Sequence, residues 1–164
     1  HPGLQPGYPG GLVREREAMA NDLWTTVEDA LLAALKADLG ARVRTLATYQ
    51  GDWLTDLQRE DWRFPAVLVQ LRQSRGEQVT LGSYDLNLEF TVLVMVRHLR
   101  GEAAGRREAD GVYQVLAGVR KALWHQDLGL ELQPLNLIRE EPLLSDQEFS
   151  VYAAHYGTSL VQDL

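Results

Sequence analysis

The sequence predicts a single α+β domain: a mainly antiparallel sheet of about four to five strands with two main helices packed on it. Three observations carry that expectation. Residues 84–96 place an apolar side chain at every second position, the period of a long strand buried on one side. Two segments, near 23–39 and 102–125, repeat apolar residues at the three-and-four spacing of amphipathic helices. The last stretch holds two more extended runs around Leu144-Ser145-Asp146-Gln147, the pattern of an antiparallel hairpin.

The bulk numbers are compatible with one core. The chain has 164 residues, of which 45% are hydrophobic and 24% charged. Its net charge of -7 argues against a general nucleic-acid-binding surface, which needs clustered Lys and Arg to displace phosphate counterions. It leaves room for DNA that slides past without sticking. With no cysteine, disulfides, thiolate metal sites and cysteine nucleophiles are excluded. No apolar run approaches the length of a membrane span, and the N-terminal segment has no secretory core. The expected compartment is the cytoplasm or a particle assembled there.

Residues 1–18 read as a flexible Pro/Gly-rich arm or a cloning-derived extension, and 19–164 as the folded domain. His1 to Gly11 (HPGLQPGYPGG) can form neither helix nor central strand. Met19-Ala20 fits a natural start; the alternative is a genuine arm that packs on a neighbouring subunit. The first helix begins at Asn21 or Asp22, either a potential cap, and carries Leu23, Val27, Leu31, Ala34 and Leu35 on one stripe. Leu39 and Gly40 close it, with Gly40 expected in the left-handed conformation. Arg42 to Tyr49 reads as a strand. Gln50 to Arg63 is a long polar connection with a helical turn around Leu54 to Gln58, and it carries Trp53 and Trp62. Pro65 precedes a strand over Ala66 to Arg72, and Ser74 to Ser83 is a polar connection.

In the long strand Tyr84, Leu86, Leu88, Phe90, Val92, Val94 and Val96 face one way. Leu93 and Met95 break the polar alternation opposite, so that part is covered on both faces, by a helix or by another subunit. His98 to Gly101 turns the chain into the second helix, Glu102 to His125. Its stripe is Ala109, Val112, Val115, Leu116, Val119, Ala122 and Leu123, and Gly105, Gly111 and Gly118 would let it approach the sheet closely. Gln126 to Gln133 connects to strands over Leu135 to Glu141 and Gln147 to Leu160.

No catalytic constellation emerges. His1, His98, His125 and His155 share no ligand spacing, so no metal site is expected. His125 suits the negative end of a helix, and His155 reads as a packed or interface histidine. No serine sits in a nucleophile elbow and no phosphate-binding loop occurs. The acidic pairs Glu15/Glu17, Glu60/Asp61 and Glu140/Glu141 read as solvated surface. Trp24 and Trp124 are expected to flank the helix–sheet core. Trp53 and Trp62 either staple their loop to the domain or pack on another chain. The candidate interface residues are therefore Trp53, Trp62, Leu93, Met95 and His155, with no catalytic, cofactor or metal residue and no enzyme activity expected.

Four segments together resemble a known family: VEDALLAALKADLG (27–40), FPAVLVQ (64–70), LEFTVLVMVRHLRGEAAGRREADGVYQVLAGVRKAL (88–123) and HQDLGLELQPL (125–135). The chain resembles the small tail proteins of Mu-like phages and prophages, tail-terminator-like and encoded next to the tail sheath. The resemblance runs from about Leu23 to Val161. It implies a ring, usually a hexamer, that caps the tail tube at the head-proximal end of a contractile tail and joins it to the head connector. The implied partners are further copies of the chain, tail tube and sheath, and the head-completion protein. DNA would pass the lumen without specific binding, and no cofactor or membrane is implied. The implied location is the virion, after assembly in the host cytoplasm. A neck or head-completion subunit, and a small-molecule-binding α+β domain, are the alternatives.

Overall fold

The structure of the chain is a computed structural model, and it describes residues 22–59, 62–98, 107 and 111–163. Within them the elements run α1 (Leu23–Leu39), β1 (Thr45–Thr48), α2 (Trp53–Arg59), β2 (Ala66–Thr80), β3 (Ser83–Arg97), α3 (Val112–Leu123), β4 (Asn136–Ser145) and β5 (Phe149–Asp163). The N-terminal arm, the acidic pairs Glu15/Glu17 and Glu60/Asp61, and the first turns expected for the second helix lie outside the described residues, apart from Arg107.

The strands form one sheet in the order β1-β2-β3-β5-β4. β1 runs parallel to β2, and every other pairing is antiparallel. The parallel edge follows from α2, which gives the chain a crossover between β1 and β2 where a tight turn would have forced an antiparallel pair. The α+β expectation therefore holds, with two large helices on one face and a short third helix on the other.

α1 turns Val27, Leu31, Leu35 and Leu39, all fully buried, onto the sheet face built by Val67, Val69, Phe90, Val92 and Val94. Its start differs from the expectation: Asp22 caps with no side-chain hydrogen bond, and its carbonyl instead accepts from the Thr26 amide at 3.1 Å and the Thr26 hydroxyl at 3.0 Å. Its end differs too. Gly40 is right-handed, with φ -55°. Glycine is needed there for space, because a Cβ would meet the Lys36 carbonyl oxygen at 2.6 Å. α3 buries Val112, Val115, Leu116, Val119, Ala122 and Leu123 as predicted. Gly118 serves a different contact from the one expected. Its missing Cβ admits Leu39, whose Cδ2 would lie 2.2 Å from it, so the close approach is between the two helices.

The outer face of the sheet holds a second core. Ala66, Leu68, Leu93, Met95, Phe149, Val151 and Ala153 lie there with Leu57 of α2. Trp53, Trp62 and Phe64 pack around them, half-buried. Tyr49 at the end of β1 makes a T-shaped contact with Trp62, and its hydroxyl donates to Asp56 of α2. The tryptophan loop is thus stapled to its own domain.

One predicted connection is a strand. Residues 74–80 continue β2, and only Leu81 and Gly82 turn the chain into β3, Gly82 taking φ +85°. β2 from Arg72 to Thr80 is exposed throughout, so it has no buried face to print an alternation on the sequence. The closing hairpin is present, with its turn moved to Asp146–Glu148; Asp146 Oδ1 accepts from the Glu148 and Phe149 amides at 2.8 and 2.7 Å.

Leu57 is the buried anchor of α2, at 4% exposure. Leu57→Ala is expected to cost about 2–4 kcal/mol in a urea titration, the range of a leucine truncated in a core. A loss below about 0.5 kcal/mol would mean that α2 is not held by this contact.

Candidate functional site

The register of β3 and β5 decides what the outer face presents. Thr91 lies opposite His155, Leu93 opposite Ala153 and Met95 opposite Val151. Opposed residues share a face, so the outer face divides along its length. Toward the Met95 end it is apolar and covered by α2. Toward Thr91 it is polar, because Gln70, Arg72, His155, Arg139 and Glu141 arrive there from β2, β5 and β4.

The polar half is organised around His155. Its Nδ1 lies 2.8 Å from the Thr91 hydroxyl and its Nε2 2.6 Å from Glu141 Oε2. In the neutral ring with its proton on Nε2, the carboxylate accepts from the imidazole and Nδ1 accepts from threonine. Arg139 Nε donates to the same Glu141 oxygen at 2.9 Å. The Arg139 hydrogen bond, and next that of His155, hold the Glu141 carboxyl below the usual glutamate range, while burial pushes the other way. One residue along, both oxygens of Glu140 accept from Nη1 of Arg120 of α3, at 2.7 and 2.9 Å, fastening the helix to the edge strand.

A hydroxyl, an imidazole and a carboxylate in line is also the order of a hydrolase relay. The surroundings do not serve that chemistry. Thr91 is 2% exposed in the middle of β3, which hydrogen-bonds to β2 on one side and β5 on the other. Its hydroxyl therefore faces the imidazole from below, and the backbone N–H groups around it serve the sheet ladders, where an oxyanion would need free ones. The chain of bonds joins three strands and positions their side chains. Among the described residues no group of three or more His, Cys, Asp or Glu could hold a metal ion, and no helix is long and apolar enough to cross a membrane.

Trp53, Leu93 and His155 meet at one depression of about 390 Å³, whose wall also includes Arg72, Arg139 and Leu143. Trp62 lies elsewhere, in a second open cavity of about 500 Å³. Leu93 and Met95, named as interface candidates, are 1% and 0% exposed, covered by the chain's own α2 and tryptophans, with Leu93 reaching only the base of that depression. Trp24 packs on the helix-side core as expected, whereas Trp124 is exposed. It stacks on His125, which follows the helix with φ 65°.

The second cavity was not legible in the sequence. Ala41, Arg42, Arg44, Trp62, Arg63, Phe64, Pro65, Val96 and Arg97 line it, from three separated segments. The Arg44 amide donates to the Pro65 carbonyl at 2.9 Å, and the Thr45 hydroxyl and the Arg63 backbone exchange bonds at 2.7 and 3.1 Å. These contacts bring Arg42 and Arg44 of the β1 approach beside Arg63, before β2, and Arg97, the last residue of β3. Arg97 is paired with Glu148 at 2.8 Å.

The model of the bacteriophage Mu Gp37 family matches residues 23–161, from the start of α1 to two residues before the end of β5. The chain belongs to the bacteriophage Mu Gp37 family. It is therefore a Mu-like phage protein, and membership speaks for a structural protein of the virion. No curated protein matches the chain. Within this Gp37-family domain both cavities lie inside the matched span, at opposite margins of the outer core.

The Glu141 arrangement predicts a titration. Its folded pKa lies below the unfolded one, so its contribution to stability is present above the unfolded glutamate range and disappears as pH falls through the folded midpoint. Carbon-detected NMR is expected to place the Glu141 midpoint below that of an exposed glutamate. Arg139→Ala is expected to move it upward; an unmoved midpoint would show that the guanidinium does not hold it.

Proposed function

We propose that this Gp37-family protein is a tail terminator: a non-enzymatic subunit that assembles into a ring at the head-proximal end of the tail, caps tube and sheath, and meets the head connector. The observation that carries the reading is a strand, β2, that outruns the core: Arg72 to Thr80 are exposed throughout, while Leu88 and Leu160 keep the neighbouring β3 and β5 on it. β1 stops opposite Val69 and β4 opposite Gly157, so beyond them only β2, β3 and β5 continue. β2 runs about 30 Å past Leu71, at about 3.3 Å per residue, before Leu81 turns it at 96% exposure. A monomeric binding domain has no use for such an extension, whereas a subunit that must reach a neighbour does. The family resemblance supplies the tail, and six copies is the expected stoichiometry. A net charge of -7 suits a lumen that DNA crosses without binding, since like charges repel phosphates.

The test joins mass and location. Light scattering after gel filtration is expected to show the 18.4 kDa chain climbing with concentration toward a hexamer of about 110 kDa. Added to polymerising tube protein of a Mu-like phage, the protein is expected to shorten the tubes and to appear as a ring at one end in negative stain. Binding to the portal complex with untouched tube length would make it a neck subunit and overturn the terminator reading.

A further inference from the structure

We propose that the β2–β3 arm of one copy docks in the arginine-lined cavity of the next, joining copies of the chain head to tail. This deepens the assembly reading above and rests on it. The two surfaces lie at opposite poles of the subunit. The cavity sits where β2 begins and β3 ends, beside Pro65 and Val96, and the arm is the other end of the same two strands. About 45 Å of strand separates them, at about 3.3 Å per residue over β2. Different surfaces at opposite poles make a heterologous contact, which closes into a ring when the rotation between copies allows it.

The arm carries an electrostatic conflict that its own chain does not relieve. Glu77 lies directly opposite Asp85 on neighbouring strands, an arrangement that destabilises a sheet. Neither carboxylate has an ion pair among the described residues. Arg75, opposite Asn87, makes none either. The cavity holds the complementary excess. Arg42, Arg44 and Arg63 are exposed and have no carboxylate partner among the described residues. Three guanidinia without a carboxylate partner among the described residues stand together there, in a chain whose net charge is -7.

The apolar groups match as well. Leu81 at the tip is 96% exposed and Val79 beside it 58%, while Val161, opposite Asp85 further back, is 59% exposed. The cavity floor offers Trp62, Phe64, Pro65 and Val96. Glu77 and Asp85 sit four residues behind Leu81, about 13 Å along the strands. With Leu81 against the aromatic floor, the two carboxylates come to the rim where Arg44 and Arg63 stand.

The chain has no cysteine, so the contact can be trapped directly. Glu77→Cys mixed with Arg44→Cys under mild oxidation is expected to give an intermolecular disulfide in at least tenfold higher yield than Glu77→Cys mixed with Asp29→Cys on α1. In parallel, an arm variant (E77R with D85R) and a cavity variant (R44E with R63E) are each expected to remain monomeric by light scattering. Mixed, they are expected to assemble again, because the acidic arm of one meets the arginine cavity of the other and the reversed arm meets the reversed cavity. All altered residues lie outside the cores, and unchanged circular-dichroism melts check that the variants fold. If the wild type assembles and both variants assemble equally well, the arm contact is overturned and the ring reading stands. If the wild type stays monomeric while the selective disulfide forms, the arm contact stands and the closed ring loses its support. No selective disulfide, whatever the mass, overturns the arm contact. So does a DNA duplex that binds the wild type but not the cavity variant while assembly is unchanged, since the arginines would then serve phosphates.

Discussion

β3 lies between β2 and β5 and pairs with both along its length, and half of it is apolar on both sides. That constraint shapes the rest of the domain. Its even residues need a helical layer, and α1 and α3 supply it with Gly118 letting the helices close on Leu39. Its odd residues Leu93 and Met95 need a second cover on the opposite face. The chain provides it by inserting α2 and two tryptophans between β1 and β2, and that insertion is what turns the β1–β2 edge parallel.

The polar chain through His155 takes its meaning from the same strand. A sheet's register is fixed where a one-residue slip would bury the wrong side chains. A slip between β3 and β5 would carry His155 into the core that α1 and α3 share and turn Tyr156 out of it. The bonds from His155 to Thr91 and Glu141 tie three strands at the point where the outer face changes from apolar to polar. They hold the boundary at which the tryptophan cover ends. The resemblance to a catalytic relay is a consequence of pinning strands with polar side chains, and the buried hydroxyl marks the difference.

Much of this architecture could be read from the residues, and the failures share a cause. Period-two apolar spacing located β3, and the three-and-four stripes located α1 and α3, because burial on one face imprints a period. The double cover of Leu93 and Met95 was also legible, although its owner was not: the sequence left open whether a helix or a second chain lay there. The continuation of β2 over residues 74–80 was missed because a strand exposed on every residue carries no hydrophobic period. The cap at Gly40 was misread because glycine marks either a left-handed residue or a close contact, and only the position of Lys36 decides between them. For the site, Trp53 and His155 were named for their chemistry, but their meeting at one depression required the strand register. The arginine cavity left no motif, since Arg42, Arg44, Arg63 and Arg97 belong to segments that meet only in the fold.

The arm raises a question of how a long bare strand pair stays specific. Unpaired strand edges invite pairing with any other chain. β2 beyond Leu71, where the Gln50 side chain makes its last bond, has such an edge, and so does β5 beyond Ser159, whose carbonyl accepts from the Gln133 amide. The chain blunts the first with charge and irregularity: Arg72, Arg75 and Glu77 lie along it, and register shifts interrupt it between Leu71 and Gln73 and between Gln78 and Thr80. These features oppose addition of another strand along the side. What they leave available is the tip, where Leu81 projects at 96% exposure between Thr80 and Gly82. A contact made tip first uses few backbone groups and depends on shape and charge at its receiving pocket. Such a contact discriminates between partners in a way that an open strand edge does not, and a subunit that must add to a defined neighbour without forming an unlimited sheet requires that discrimination.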